Sequence, residues 1–206
     1  ELLGRDAVSL HDTLSKVGFR RSHGLVYAPI CQDCSECLAV RTLVDQFNPS
    51  ISQRRVLRTN EDVSVFEGEA TATSEQFELF SKYQDSRHAG GDMATMDFFD
   101  FQALVEETPV DTFVQEFRTG DGDLVGACLI DAMSDGVSAV YSFFNPCSKK
   151  RGLRKNLILR SLELLKLNNK NNLYLGYWVK DSNTMDYKSS FEGLELFING
   201  EWRSIS

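Results

Sequence analysis

Residues 111–144 read DTFVQEFRTGDGDLVGACLIDAMSDGVSAVYSFF. Apolar and β-branched residues fill three blocks, 111–119, 124–133 and 137–144. The blocks are separated by Gly120-Asp121-Gly122-Asp123 and Ser134-Asp135-Gly136. Gly and Asp tolerate the backbone that tight reversals need, so the blocks predict a meander of strands. Downstream, Leu153, Leu157, Leu164 and Leu165 predict a long helix over 152–168, and the apolar run 173–179 predicts a further strand. A short helix is expected over 184–191. Asn199-Gly200 then joins 194–198 to 201–205 as a hairpin. The predicted fold class is α+β, a mixed sheet with flanking helices.

Upstream of this block, Ala7, Leu10, Leu14 and Val17 fall at helical spacing, with Gly18 placed to end the helix. Strands are expected at 25–29, 38–44 and 62–66, and a short helix over 52–58. Ser74 is placed to cap a helix bearing Phe77, Phe80 and Tyr83. Phe98, Phe99, Phe101 and Leu104 suggest another helix, with its aromatics in the core. The expected organisation is an amino-terminal subdomain over 1–106 and a second subdomain over 107–206.

The chain has 206 residues, enough for a genuine core. No apolar run approaches the roughly 20 residues that span a bilayer, and no leader-like basic-then-apolar start is visible. Five cysteines, an odd number, fit a reducing cytoplasm better than a disulfide scaffold. With 22 Lys and Arg against 30 Asp and Glu, the net charge of −8 argues against broad, nonspecific nucleic-acid binding. The distribution is uneven, however. Between Cys147 and Lys170, eight cations face Glu163 alone, a local +7. Such a cluster is either a polyanion site or a solvated helix face.

Two further stretches carry candidate chemistry. Cys31, Cys34 and Cys37 stand at C-x2-C-x2-C spacing, which suits a zinc or iron–sulfur site. Three thiolates do not close a tetrahedral site, and Cys128, Cys147 and His23 are the candidates for a fourth ligand. The alternative is a loop of reduced, locally packed thiols. Ser52-Gln53-Arg54-Arg55, with Arg58, is a compact basic cluster.

These pieces together resemble the aminoacyl-tRNA–protein transferases, and most closely the bacterial aspartate/glutamate leucyltransferases, relatives of the arginyltransferases. The resemblance runs through Gly18-Phe19-Arg20-Arg21-Ser22, the cysteine loop, Ser52-Gln53-Arg54-Arg55 and Tyr83 to Arg87-His88. It continues through Gly90-Gly91-Asp92-Met93, the stretch 135–144 with Pro146, Tyr174-Leu175-Gly176-Tyr177-Trp178, and Met185, Tyr187, Lys188 and Phe191. The chain departs from the family pattern at Arg151-Gly152-Leu153-Arg154, where Arg-Ser-Leu-Gly is usual. It also has Thr184 for a usual Lys and Gly193 for a usual Pro. The order of three strands, helix, strand, helix, strand is also that of the Gcn5-type N-acetyltransferase fold, expected here in the C-terminal half.

The resemblance implies transfer of leucine from leucyl-tRNA to the α-amine of proteins beginning with Asp or Glu. That reaction marks them for N-degron degradation. The ester is already activated, so the transfer requires no cofactor. A carboxylate-bearing acceptor calls for cations, best a bidentate Arg. Arg54, Arg55, Arg87 and His88 are the candidates, with His88 either a hydrogen-bonding spacer or a base. Tyr141 and Tyr177 are placed to orient amine or ribose, or else to pack. Asp92 is an amine ligand or a turn cap. Lys149, Lys150, Arg151, Arg154 and Lys155 are expected on tRNA phosphates, and Lys188 on a phosphate or the terminal ribose. Arginyl transfer, small-molecule acylation from acyl-coenzyme A and a noncatalytic module that senses metal or N-termini remain as alternatives.

Overall fold

The computed structural model describes residues 1–205. The chain opens with α1 (Ala7–Lys16) and a hairpin of β1 (Arg20–Ser22) and β2 (Leu25–Tyr27). The apolar spacing predicts Leu10 and Val17 on the packed face of α1. Instead Ala7, His11 and Ser15 are buried, and Leu10 and Val17 are exposed. The helix is oriented by a polar group. Asp131 is fully buried and takes two 2.7 Å bonds from Arg21, while His11 Nε2 lies 3.3 Å from the same carboxylate. A buried carboxylate left without such partners would cost several kcal/mol.

β3 (Leu38–Leu43), α2 (Ile51–Thr59) and β4 (Ser64–Glu69) follow. Gln53 in the Ser52-Gln53-Arg54-Arg55 motif is buried and structural. It shares a reciprocal cap with Ser50 at the start of α2, and its Nε2 donates to the Ser190 carbonyl at 3.0 Å. α3 (Ser74–Arg87) is capped by Thr73 rather than Ser74, because Thr73 and Gln76 satisfy each other's backbone amides. α4 (Phe98–Glu106) starts on Asp97 in the same way.

The meander is present as β5 (Thr112–Arg118), β6 (Leu124–Ala132) and β7 (Gly136–Phe144). α5 (Leu153–Leu167) crosses over to β8 (Asn172–Trp178), and β9 (Leu194–Ile198) and β10 (Glu201–Ser204) form the closing hairpin. The short helix expected over 184–191 is a single tight turn, Asp186–Ser190.

Eight strands form one mixed sheet in the order β10-β9-β3-β8-β7-β6-β5-β4. Residues on both sides of position 106 share it, since β3 lies between β9 and β8 and β4 forms the edge beside β5. Side chains alternate along β6 and β7, so each face meets a different helix. Phe143 packs edge-on against Phe80 of α3 at 5.6 Å. On the other face, Gly126 lies so close to Leu157 of α5 that an added Cβ would come within 2.9 Å of it.

The β7–β8 pair is parallel and brief: Gly136↔Asn172, Val137↔Leu173 and Ser138↔Tyr174. Gly136 permits its start, because a Cβ there would overlap the Asn172 carbonyl. Beyond Ser138 and Tyr174 the two strands continue without pairing to each other. A cavity lies in the opening between them.

Candidate active site

A cavity of about 390 Å³ opens where β7 and β8 part. Its apolar wall comes from Cys128, Ala139, Val140, Leu157, Ile158, Leu173, Leu175 and Met185. Its polar groups include Arg20, His88, Arg154 and Lys188, together with several tyrosines and the hydroxyls of Ser142, Ser161 and Thr184. No Asp or Glu is among the lining residues.

Two cations fill the gap left by the missing strand pairing. Arg20 reaches across from β1, its Nη1 donating to Ser138 Oγ at 2.9 Å and its Nη2 to the Ala139 carbonyl at 2.5 Å. Lys188 Nζ donates to the carbonyls of Leu175 at 2.8 Å and Tyr177 at 2.5 Å. The strand ends thus satisfy carbonyls with side chains where a sheet would use backbone amides. Gly176 makes room for Arg20. It sits at φ +79°, and a Cβ on it would come 3.2 Å from Arg20 Nε. Burial depresses the Arg20 guanidinium below its usual range. Burial, reinforced by Arg20 and Arg154, lowers Lys188 to about 7.

The sequence candidates divide around this cavity. Tyr141, Tyr177, His88, Arg154 and Lys188 all line it. The Tyr141 hydroxyl accepts from Gln84 Nε2 at 2.7 Å, and burial raises its pKa to about 12. The Tyr177 hydroxyl lies 3.0 Å from the carbonyls of Gly18 and Tyr27, so it donates into the amino-terminal hairpin. Burial raises it also to about 12. Neither phenol is a base near neutrality. His88 is exposed and stacks beside Tyr83 at 5.6 Å. Lys188 is buried rather than solvated, tucked against β8.

Arg87, Lys149 and Lys155 join Arg154 around an adjoining 270 Å³ pocket at the start of α5. Phe144, Arg154 and Tyr187 line both hollows and connect them. Arg154, one of the departures from the family pattern, lies over the rings of Phe144 at 5.9 Å and Tyr187 at 5.1 Å. Lys150 and Arg151 line neither hollow, and Arg151 is held by Asp62 through bonds of 2.8 and 2.9 Å. Arg54 and Arg55 are exposed on α2 and also line neither, Arg54 donating to the Pro49 carbonyl. Asp92 is exposed at the start of a tight turn, away from both.

Among the described residues, no group of three or more His, Cys, Asp or Glu is gathered so as to hold a metal. Cys31, Cys34 and Cys37 are not gathered into such a group. Backbone pairing between Cys31 and Cys34 closes the loop instead, with Asp33 between them at φ 59°. Arg20, which lines the cavity, and Gln84, which bonds to Tyr141, were not singled out as candidates by the sequence. Arg20 and Arg21 are adjacent, and strand alternation sends one into the cavity and the other to Asp131. Only the two-residue period of a strand could have separated them. Gln84 carried no signal beyond its place on α3.

Residues 2–55 match the family model described as arginine-tRNA-protein transferase, N terminus, and residues 75–198 match the one described as its C terminus. The chain belongs to this family. A protein of Paramagnetospirillum magneticum named aspartate/glutamate leucyltransferase is 47% identical over 206 residues, covering 100% of this chain and 84% of that protein. A protein of the same name from Granulibacter bethesdensis is 47% identical, covering 100% of this chain and 77% of its own length. Among solved structures, FemX superposes with a TM-score of 0.58 at 9% identity, over 89% of this chain and 65% of that one. That likeness concerns fold alone, and it fits the acyltransferase architecture expected for the C-terminal half. No helix among the described residues is long and apolar enough to cross a membrane.

Proposed function

We propose that this chain transfers leucine from leucyl-tRNA to the α-amine of proteins beginning with Asp or Glu, and that the cavity between β7 and β8 is where the transfer occurs. The reaction is aminolysis. The amine nitrogen bonds to the ester carbonyl carbon, the bond to the ribose oxygen breaks, and the amine proton ends on that oxygen. The ester is already activated, so the residues need only orient the partners, move one proton and stabilise the oxyanion.

One observation carries the donor assignment: the cavity has apolar depth and no carboxylate in its lining. An arginyl side chain would stand beside Arg20 and Arg154 with no carboxylate of the lining to pair with. At an effective dielectric near 20, a like charge about 4 Å away costs on the order of 4 kcal/mol. A leucyl side chain meets Leu157, Leu173 and Leu175 instead. Lys188 is the proposed proton acceptor. Its neutral amine spends two N–H groups on carbonyls and keeps its lone pair. A pKa near 7 matches an acceptor amine whose own reference value is about 7.7–8.0. Once protonated, Lys188 can return the proton to the leaving ribose. The tRNA end is proposed to lie over the adjoining pocket, its phosphates near Lys149, Lys155 and Arg87 and its ester passed inward beside Arg154. Acting in the cytoplasm, such an enzyme marks acidic N-termini for degradation.

The test is incubation with leucyl-tRNA and a peptide beginning with Asp, followed by product mass. The expected product is one leucyl residue heavier. No product, or equal leucylation of a Lys-initiated peptide, would overturn the reading.

A further inference from the structure

The cavity holds more positive charge than its own structure neutralises. Arg21, Arg41, Arg118, Arg151, Arg160 and Arg203 each have a carboxylate partner within 4.0 Å. Arg20 has none among the described residues, although it is partly buried and walls the cavity. A desolvated guanidinium without a counterion is costly and persists where something else supplies the charge.

We propose that Arg20 is the acceptor-specificity residue: its guanidinium, wedged between the parted ends of β7 and β8, receives the carboxylate on the side chain of the acceptor protein's first residue. This rests on the transferase reading above and names the group that makes that reading selective for acidic N-termini.

The geometry favours Arg20 over the other cations. A guanidinium has five N–H donors, and two of Arg20's are engaged, with Ser138 and Ala139. Those bonds fix the plane of the fork and leave three donors, enough for a two-pronged carboxylate contact. Lys188 is anchored to the same stretch of β8, at the carbonyls of Leu175 and Tyr177. A carboxylate on Arg20 would therefore hold the α-amine of the same residue near the proposed proton acceptor. Arg154 is the other unpaired arginine in the lining, but it already lies over Phe144 and Tyr187 at the passage to the donor pocket. Arg54 and Arg55 lie outside the cavity altogether.

The experiment compares kcat/KM for otherwise identical peptides beginning with Asp and with Asn, in wild type, Arg20→Gln, Arg20→Lys and Arg154→Gln. Removing one charge-assisted hydrogen bond corresponds to roughly tenfold to a hundredfold. The wild type should therefore prefer Asp by at least about tenfold. Arg20→Gln should bring the ratio close to one through the peptide KM, with the KM for leucyl-tRNA unchanged. Arg20→Lys keeps the charge without the fork, and should fall several-fold below the wild-type ratio. Arg154→Gln should raise the KM for leucyl-tRNA and leave the ratio intact. If Arg20→Gln fails to fold, as judged by loss of its thermal transition, Arg20→Lys carries the comparison. An unchanged ratio in the folded Arg20 variants, or a collapse confined to Arg154→Gln, overturns the assignment while leaving the transferase reading standing. A wild type that modifies neither peptide overturns both.

Discussion

Replacing Lys188 by Met should change both stability and rate, in ways that depend on pH. Lys188 is only 8% exposed, and its folded pKa is lowered from 10.5 to about 7 by burial and by Arg20 and Arg154. Between those two values the unfolded chain binds more protons than the folded one, so stability rises with pH in that window. The buried charge is penalised fully below pH 7, and the penalty is relieved as pH rises. At about 1.36 kcal/mol per unit, the pH 7 to 8.5 portion amounts to roughly 1.5–2 kcal/mol. The buried tyrosines, whose pKa values are raised, titrate above this window, and His11, whose pKa is lowered, titrates below it. Urea unfolding of wild type at pH 7, 7.75 and 8.5 should show the rise, and Lys188→Met should flatten it. In a transfer assay, the wild-type rate should climb through a pKa near 7. The variant should lose about 10²–10⁴ in rate, the usual worth of a positioned base. Equal pH slopes in the two proteins, or a variant with the wild-type rate profile, would refute the desolvated, proton-accepting Lys188.

Two further outcomes follow from the charge layout. Reversing Lys149 and Lys155 to Glu should raise the KM for leucyl-tRNA and reduce its salt slope by roughly one for each phosphate no longer held; Lys150→Glu, which lines neither hollow, should do neither. Asp131→Asn should cost about 3–5 kcal/mol in thermal or urea unfolding, because it strands the buried Arg21 guanidinium.

The sheet and the long crossover helix were legible because their signals are local. Gly120-Asp121-Gly122-Asp123, Ser134-Asp135-Gly136 and Asn199-Gly200 mark reversals, and Leu153 to Leu165 repeats at helical spacing. The face of α1 was not legible. Its orientation answers to Asp131, more than 100 residues away, and apolar periodicity cannot register a buried carboxylate. Tyr141, Tyr177, His88, Arg154 and Lys188 were chosen singly, and the structure brings them around one cavity. The burial that gives Lys188 a pKa near 7 depends on the parting of β7 and β8, which sequence does not display. Charge alone also failed to sort the basic cluster. Arg151 belongs to Asp62, and Arg154 belongs to the rings of Phe144 and Tyr187.

If the carboxylate-free, apolar cavity selects the donor, a competition between two donors reads that selection out. Leucyl-tRNA and arginyl-tRNA are supplied at equal concentration with one Asp-initiated peptide, and the two products are counted by mass at low conversion. The leucylated peptide should dominate by more than tenfold, as expected from even about 1.4 kcal/mol against a desolvated guanidinium. Equal amounts, or an excess of arginylated peptide, would contradict it.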